Sequence, residues 1–400
     1  MTKFHVGKPA PSEDLVDRED EVKYLVSKMR SASINYNIAT IGHRRIGKTS
    51  ILLKVKTILS KNKRCVVVYF DVKKNMGDPK IFLNKLEKEI FDAYADKLGT
   101  LEKITVKAGK LSSAVTKITS AITSMKIKSI GSDIRPDGTI TPKIEFGDKV
   151  TDYSTFFLSV FQTPTAFAKH SNLKFVVILD EFQEFEELNR YPGLKNIFSL
   201  FRSVIQERGK NVSFIISGSR VHMLESILGS GETPLFVHFE RQVISEMSEI
   251  NSIKLFNKYL KARKIGENDS IAKTAYQLVG GQPFYLMAIA EGWNKGEKVA
   301  ETLNRLLTDP LGTLRLYTEY VLSEDLKVAT GGPILKTILS ALSDSDNGHS
   351  FSELAKKTGI PMNIISRYIP SLLTADLITQ AEGTIKIRDK VILEYLKLQT

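Results

Sequence analysis

The chain of 400 residues has only one cysteine, Cys65, and no long apolar segment. A single cysteine cannot form a disulfide within the chain, which predicts a reducing compartment, the cytoplasm. Because no run of about 18 apolar residues is present, we expect no transmembrane helix and no membrane partner. The N-terminal segment also lacks the apolar stretch of a secretory signal.

Histidine is scarce as well, and the six histidines are scattered along the sequence. With one cysteine they form no zinc-type cluster. Charged residues are plentiful, and Lys and Arg outnumber Asp and Glu by 57 to 45, which gives a net charge of +12. A basic balance is typical of proteins that bind nucleic acid, a membrane surface or an acidic partner, and also of chains that are only rich in lysine. At this length we expect two or three domains.

The N-terminal part of the sequence alternates short buried strands with amphipathic helices. The strands are predicted at 36–41, 64–72, 174–182 and 211–219. The helices are predicted at 48–61, 78–99, 153–171 and 194–209. Continuous apolar runs of this kind suit strands that are buried on both faces. The alternation therefore predicts an α/β fold with a parallel sheet joined by βαβ crossovers.

Residues 100–150 interrupt this alternation. Apolar residues at helical spacing predict a helix over 106–127, and a Pro-Asp-Gly turn predicts a hairpin over 126–148. We interpret the segment as an insertion. Either it packs on the core, or its lysines meet a partner.

Two further domains are predicted after the first, which spans 1–244. Residues 245–329 show only helical patterns and predict an all-α lid. Residues 330–400 predict three helices followed by a hairpin that turns at Glu382 and Gly383. That order is typical of a winged helix-turn-helix.

The stretch "IGHRRIGKTS" places Gly42, Gly47, Lys48 and Thr49 in the spacing G-x-x-x-x-G-K-T. Such a loop needs glycines so that backbone N–H groups can face the phosphates, and the following helix adds its positive N-terminal end. The lysine then reaches the β- and γ-phosphates, and the threonine hydroxyl binds Mg²⁺. A strand before the loop and an amphipathic helix after it supply the required context, so we expect ATP or ADP with Mg²⁺ as cofactors.

Two adjacent arginines, Arg44 and Arg45, occupy positions of the loop that use the backbone rather than the side chain. The simpler interpretation is a solvated pair that raises the local positive field. The alternative is contact with the γ-phosphate, with an acidic group or with another subunit.

A pair of carboxylates, Asp180 and Glu181, ends the buried strand "VVILDEF". An aspartate at the carboxyl end of a parallel strand is suited to Mg²⁺, and the glutamate next to it to orienting and deprotonating the attacking water. The strand 211–219 is expected beside the phosphate-loop strand, so Ser217 or Ser219 can face the γ-phosphate, or simply end the strand. Arg220 follows them.

With these motifs the chain resembles the AAA+-related P-loop ATPases, in particular an archaeal ATPase family near the STAND class. "LVDREDEV" resembles the family's N-terminal F-x-G-R-E-x-E-L box, with Val16, Arg18 and Glu19 matching and Asp17 in place of glycine. "GHRRIGKTS" and "VVILDEFQEF" match the two Walker elements, and "GGQPFYL" matches the G-G-x-P motif of the lid. The resemblance covers roughly residues 12–290.

The resemblance implies an α/β P-loop NTPase core of the AAA+ type, a helical lid and a C-terminal winged helix. It implies a switch in which ATP bound between core and lid holds one arrangement and hydrolysis releases it. The nucleotide-binding residues are expected to be Val16, Arg18, Gly42, His43, Arg44, Arg45, Ile46, Gly47, Lys48, Thr49, Ser50, Asp180 and Pro283. Thr49 and Asp180 are the expected metal ligands. The expected catalytic residues are Lys48, Glu181, Ser219 and Arg241.

One departure from the family concerns its arginine. The family commonly shows P-L-[YF]-G-R after the sensor strand, whereas this chain reads "PLFVHFERQ", with Val237 and His238 in place of Gly-Arg. Arg241 lies nearby and is the expected substitute. Arg202 and Arg208 are further candidates, and loss of the family arginine implies slow hydrolysis.

The target of the switch has two interpretations. A winged helix is often a DNA reader, but residues 331–400 hold eight basic and seven acidic residues, and the third helix has only Arg367 as a cation. The first hypothesis is therefore an ATPase that acts on double-stranded DNA through the winged helix or a basic surface. The second is a signalling or defence ATPase that acts through protein partners or self-association. A third is a nucleotide-binding scaffold without turnover.

Overall fold

The computed structural model describes residues 7–10, 15–31, 34–106, 129–134, 140–145, 152–229, 233–329 and 332–399. None of the helices within these ranges combines the length and the apolar character that crossing a membrane would require. Strands and helices are numbered below in chain order.

The N-terminal part of the chain is built on a sheet of five parallel strands. In chain order its strands are β1 Ile38–Ile41, β2 Cys65–Asp71, β5 Lys174–Asp180, β6 Val212–Gly218 and β7 Glu240–Val243. Their order across the sheet is β2-β5-β6-β1-β7. The parallel sheet is confirmed, and so is the expected place of β6 beside β1, where Ile41 lies opposite Gly218.

Helices connect these strands and cover both faces of the sheet. They are α1 Glu19–Arg30, α2 Lys48–Ser60, α3 Val72–Asn75, α4 Pro79–Val106, α5 Tyr153–Ser171, α6 Ile197–Glu207 and α7 Val221–Leu228. A 3-10 helix, Phe182–Arg190, follows β5. Because helices that connect parallel strands run back antiparallel to them, the N-termini of these helices gather at the carboxyl edge of the sheet and their C-termini at the amino edge.

The fifth strand, β7, is absent from the predicted elements. Its sequence, "ERQV", has one apolar residue, and its side chains are exposed or half-buried. An edge strand of this kind lacks the apolar signal by which buried strands are recognised. Its pairing with β1 is set by the backbone, with Ala39 opposite Arg241.

The interrupting segment is described in part. The helix α4 continues past the predicted end at Gly99 to Val106. Two antiparallel strands, β3 Ser129–Ile134 and β4 Ile140–Glu145, confirm the hairpin. The predicted helix over 106–127 lies outside the described residues, except for Val106.

The lid region is all-helical, as predicted. Its helices are α8 Glu249–Ala262, α9 Asp269–Val279, α10 Pro283–Gly292, α11 Val299–Thr308 and α12 Thr313–Val328. The C-terminal region contains α13 Pro333–Leu342, β8 His349–Ser350, α14 Phe351–Thr358, α15 Met362–Thr374, β9 Ile378–Ala381, β10 Thr384–Ile387 and α16 Lys390–Lys397. Its strands form an antiparallel sheet in the order β8-β10-β9. Helices α13 to α15 followed by this hairpin have the order predicted for a winged helix-turn-helix.

The buried apolar residues form three clusters. Two flank the parallel sheet and contain residues from Val22 to Ile244. The third runs from Met247 to Tyr395 and joins the lid to the C-terminal region. The separate limits of the lid and the winged helix stay predictions.

Candidate nucleotide-binding site

The loop between β1 and α2 depends on glycine at two positions. Gly47 precedes α2 with φ of 102°, a left-handed conformation that residues with a Cβ rarely adopt. A Cβ on Gly42 would lie 2.7 Å from the carbonyl oxygen of Ile244, which follows β7. Gly42 therefore leaves room for the backbone that follows β7, and the left-handed turn at Gly47 lets the N-terminus of α2 face the site.

Lys48 is the most buried cation of the loop, with 5% of its surface exposed. Its Nζ donates hydrogen bonds to the carbonyl oxygens of Gly42 (2.6 Å) and His43 (2.8 Å). Burial lowers the pKa of Lys48, and the nearby carboxylates of Glu181 and Asp180 counteract that shift. The ammonium group is held within the loop, where phosphate oxygens can replace the carbonyl oxygens as its acceptors.

Asp180 lies at the carboxyl end of β5 and is 1% exposed. Its Oδ2 accepts hydrogen bonds from the hydroxyls of Thr49 (2.7 Å) and Tyr69 (2.8 Å). Burial, and then the charge of Glu181, raise the pKa of Asp180, while the two hydroxyls lower it. The hydroxyl of the phosphate loop and the carboxylate of the neighbouring strand thus meet at one point.

Glu181 follows with φ of 54°, which turns its side chain out of the strand direction. Its Oε2 accepts hydrogen bonds from Nε2 of Gln183 (2.6 Å) and Oγ of Ser219 (2.7 Å). Burial alone would raise the pKa of Glu181, but the charge of Lys48 and these two hydrogen bonds bring it below its ordinary value. The residue is therefore an oriented carboxylate, suited to binding a water molecule and accepting its proton.

Arg18 holds the phosphate loop through hydrogen bonds to the backbone. It is 4% exposed, and its Nη2 donates to the carbonyl oxygens of Ile46 (3.2 Å) and Ser245 (2.7 Å). Its Nη1 pairs with Glu21 at 3.0 Å. Through Arg18, the segment "LVDREDEV" at the start of α1 therefore connects the phosphate loop to Ser245, which precedes the lid helices.

The prediction of a solvated pair is wrong for Arg44, which is half-buried in an ion pair, whereas Arg45 is exposed. Arg44 forms an ion pair with Asp325 of α12 at 3.0 Å, and its carbonyl oxygen accepts from Nε2 of Gln282 (2.7 Å). Arg45 donates to the carbonyl oxygen of Gly7 (2.6 Å) and lies 4.9 Å from the ring centre of Phe284. Both arginines connect the loop to parts of the chain distant in sequence, a connection that spacing alone did not reveal.

A cavity of about 320 Å³ opens between the phosphate loop and the lid. Its polar end contains Lys48, Thr49, Glu181 and Ser219, and its other end is apolar. The apolar lining includes Leu255, Phe284, Met287 and Tyr317. Of the other residues predicted to bind nucleotide, Val16, Arg18, Arg44, Arg45, Ile46, Gly47, Ser50 and Pro283 line the same cavity.

Other predicted residues lie away from the cavity. His43 belongs to the loop but is not part of the cavity lining; it is half-buried, and burial and the charges of Arg388 and Lys48 lower its pKa to about 3. The Nη2 of Arg241 donates to the carbonyl oxygen of Leu228 at 2.7 Å, so this side chain is directed elsewhere. Its catalytic role stays a prediction without support from this geometry.

The departure from the family motif lies at the opposite edge of the sheet. Val237 and His238 precede β7, and the carbonyl oxygen of His238 accepts from Asn37, which precedes β1. A cation at this position would therefore lie at the amino edge, whereas Lys48 follows the carboxyl end of β1. Val237 has φ of 57°, and Asp17, which also replaces a family glycine, has φ of 61°. At both positions the backbone keeps a conformation that favours glycine.

Several residues of the site were not foreseen. Tyr69, Gln183 and Asp325 bind Asp180, Glu181 and Arg44, respectively. Tyr69 is in the strand that pairs with β5, and Gln183 follows the carboxylates closely, so a search of neighbouring positions for hydrogen-bond donors would have found them. Asp325 has no such signal, since nothing in its helix marks it as a partner of the loop.

The oxygen atoms at the polar end fit Mg²⁺. A hydroxyl and a carboxylate are ligands that this ion prefers, and Thr49 and Asp180 already lie within 2.7 Å of each other. The hydroxyl of Tyr69 donates to the same carboxylate oxygen, Oδ2 of Asp180. When bound with a nucleotide, Mg²⁺ would neutralise phosphate charge.

No protein-family model matches the sequence, and no curated protein matches it significantly. Solved structures do match it. A Walker-type ATPase of Pyrococcus abyssi aligns over 96% of this chain and 97% of its own, with 18% identity and a TM-score of 0.63. Cdc6p of Pyrobaculum aerophilum covers 100% and 97% (14% identity, TM-score 0.43), and the ORC2 protein of Aeropyrum pernix 96% and 95% (12%, 0.45).

The fold is therefore that of a P-loop ATPase. The likeness to the Walker-type ATPase of Pyrococcus abyssi extends over nearly the full length of both chains. At the level of the fold, this confirms the predicted resemblance to P-loop ATPases, with a helical region after the core.

Proposed function

We propose that the chain binds and hydrolyses ATP and that its nucleotide state controls the C-terminal winged helix. The observation that carries this proposal is the meeting of Lys48, Thr49 and Glu181 at one end of a cavity between core and lid, where Thr49 is hydrogen-bonded to Asp180. A phosphate-binding cation, a magnesium ligand and a water-orienting carboxylate are the parts that phosphoryl transfer to water requires. The apolar end of the cavity suits a nucleobase.

Each residue has a distinct task in this proposal. Lys48 and the backbone N–H groups at the start of α2 bind the phosphates. Thr49 and Asp180 hold Mg²⁺. Glu181, oriented by Ser219 and Gln183, orients the attacking water and accepts its proton.

A short path supports transmission to the winged helix. Ser219 touches Glu181, and two residues later the N–H of Val221 donates to Oδ2 of Asp376 at 2.7 Å. Asp376 follows α15, so a residue of the C-terminal region caps the first turn of α7. A shift of Glu181 or Ser219 on hydrolysis would reach this cap directly.

Phosphate release by the full chain with Mg²⁺ and ATP tests the enzymatic part. We expect turnover by the native chain and its loss in Lys48→Ala, while Lys61→Ala, a matched change at the far end of α2, keeps the rate. A native chain without phosphate release would instead support the scaffold without turnover.

For the target we propose double-stranded DNA, in line with the basic net charge of +12. Electrophoretic shifts of a DNA duplex at low salt, with and without ATP, test this part. The alternative is a protein partner or self-association, and it is favoured by the surface of α15, where Met362 is 55% exposed and Arg367 is the only cation. Association that appears with a non-hydrolysable ATP analogue but not with ADP, without any DNA shift, would establish that alternative.

A further inference from the structure

The amino edge of the parallel sheet has an unusual charge composition. We define the amino-edge face as residues 30–31, 34–37, 61–64, 169–174 and 208–211, which lead into β1, β2, β5 and β6. These ranges contain eight Lys or Arg residues and no Asp or Glu. The eight cations are Arg30, Lys61, Lys63, Arg64, Lys169, Lys174, Arg208 and Lys210. The nucleotide site, at the carboxyl edge, makes no use of them.

Backbone contacts make these segments one continuous face. The N–H of Lys174 donates to the carbonyl oxygen of Arg64 (2.9 Å), and Nζ of Lys174 to that of Ser31 (2.6 Å). The N–H of Phe175 donates to the carbonyl oxygen of Asn211 (2.7 Å). Asn35 donates to the carbonyl oxygen of Lys210. Neighbouring strands are about 4.8 Å apart, so the four strands alone space the cations over about 14 Å.

Some of the cations have a structural task. Lys174 and Arg208 donate to carbonyl oxygens at the C-terminal ends of α1 and α6, where a positive charge is favourable. Lys97 of α4, which lies outside the defined face, does the same at the end of α2. A structural task thus accounts for two of the eight cations of the face and leaves the other six unexplained.

The remaining six cations of the face are exposed. Among the residues that the structure describes, the side chains of Arg30, Lys61, Lys63, Arg64, Lys169 and Lys210 have no hydrogen-bonding or ionic partner. Two acidic residues beside the face are already bound: Glu207 accepts from Gln162, and Glu240 accepts from Tyr24 and Lys28. Like charges gathered without counter-charges repel one another, which favours an anionic ligand.

We propose that the amino-edge face binds the sugar-phosphate backbone of duplex DNA. The inference deepens the proposed action on DNA, on which it rests for the ligand, and places the contact on the ATPase core rather than on the winged helix. The face mixes its cations with Asn35, Asn62 and Ser31, residue types that commonly hydrogen-bond to phosphate oxygens. Ile34 is its one exposed large apolar residue among those described, whereas a membrane-binding surface also needs a broad apolar part.

The test uses the full chain and a fluorescently labelled duplex of mixed sequence, with binding followed by anisotropy over a series of KCl concentrations. The test variant is Lys61→Gln/Lys63→Gln/Arg64→Gln. The matched control is Lys356→Gln/Arg367→Gln/Lys386→Gln, which removes three exposed cations from the winged helix. Thermal unfolding of both variants shows whether each keeps the native fold.

Salt dependence gives the expected size of the effect. Each phosphate contact lowers log K by about 0.9 per decade of salt, so losing three contacts should reduce the slope by about 2–3 and the affinity near 0.1 M salt by at least about tenfold. We expect this loss in the amino-edge variant and less than about a threefold change in the control. Binding to phosphatidylserine vesicles is measured in parallel. If the amino-edge variant loses as much affinity for these vesicles as for DNA, the choice of nucleic acid as the ligand is overturned.

Other outcomes separate this inference from the proposed function. If only the winged-helix variant loses DNA binding, the amino-edge proposal is wrong and the proposed target stands. If the native chain binds no duplex at low salt, both statements about DNA fail. Phosphate release still decides the ATPase independently, because the substituted residues lie at the edge opposite to Lys48.

Discussion

The two edges of the parallel sheet carry charged residues in opposite arrangements. At the carboxyl edge Lys48 and Asp180 are buried and Glu181 is half-buried, and each is held by named partners. At the amino edge six cations are exposed, and none has a partner among the described residues. A buried charge must be paired to be tolerated, whereas an exposed charge need not be. The geometry at the carboxyl edge is therefore fixed by folding, while the charge at the amino edge can be changed without loss of the fold.

Helix direction explains the sign of the charges. The N-termini of α2 and α7 lie at the carboxyl edge and attract anions, and the C-termini of α1, α2 and α6 lie at the amino edge and attract cations. The same architecture thus creates a phosphate site at one edge and a place for lysines at the other. A change at the carboxyl edge can therefore be paired with a matched change at the amino edge.

The largest difference between the two edges is expected in the rate of phosphate release when a carboxylate is replaced by an amide. Glu181→Gln keeps the size of the side chain but removes its ability to accept a proton, so phosphate release should fall by about 10²–10⁴-fold. Titration with a fluorescent ATP analogue should show that binding is retained. Glu240→Gln, the matched change at the first residue of β7, should leave the rate within about twofold. Equal rates for Glu181→Gln and the native chain would exclude Glu181 as the base.

Stability should distinguish the arginines of the two edges. Arg44→Gln leaves Asp325, whose side chain is 9% exposed, without its ionic partner. Removing one member of a largely buried pair is expected to lower the free energy of unfolding by about 2–4 kcal/mol. Arg64→Gln removes the same charge from an exposed position and should change it by less than about 0.5 kcal/mol. Denaturant unfolding of both variants measures the difference, and similar values would mean that Asp325 does not depend on Arg44.

A smaller difference is expected in the Mg²⁺ dependence of two tyrosine variants. Each tyrosine donates a hydrogen bond to a carboxylate, one at each edge of the sheet. Tyr69→Phe removes the hydroxyl that donates to Asp180, and the apparent affinity for Mg²⁺ in the ATPase assay should fall about tenfold. Tyr24→Phe removes the hydroxyl that donates to Glu240 at the amino edge and should not alter the Mg²⁺ dependence. If both variants titrate like the native chain, the hydroxyl of Tyr69 does not position the metal ligand.

The two edges also differ in how far the sequence reveals them. Strands, helices and the phosphate loop follow from apolar periodicity and motif spacing, which together predict that Lys48, Thr49, Asp180 and Glu181 meet at one edge. Partners such as Asp325 could not be predicted, because they come from a distant helix whose packing on the loop leaves no local pattern. The edge strand β7 was missed because exposed polar residues carry no strand signal. The amino-edge face was invisible for a related reason, since its cations come from separate segments that only the sheet brings together.

The smallest predicted effect concerns the cations that have a structural task at the amino edge. Lys174→Met keeps most of the aliphatic stem but removes the Nζ that donates to the carbonyl oxygen of Ser31, at the end of α1. We expect the free energy of unfolding to fall by about 0.3–1 kcal/mol at low salt and by less at high salt, because salt screens the attraction between the ammonium group and the helix end. Lys169→Met, a matched change at an exposed lysine of the same face, should leave stability unchanged or raise it slightly, since it relieves repulsion among neighbouring cations. Equal losses in both variants would show that the exposed lysines also stabilise the fold, which would remove the reason to assign them a ligand.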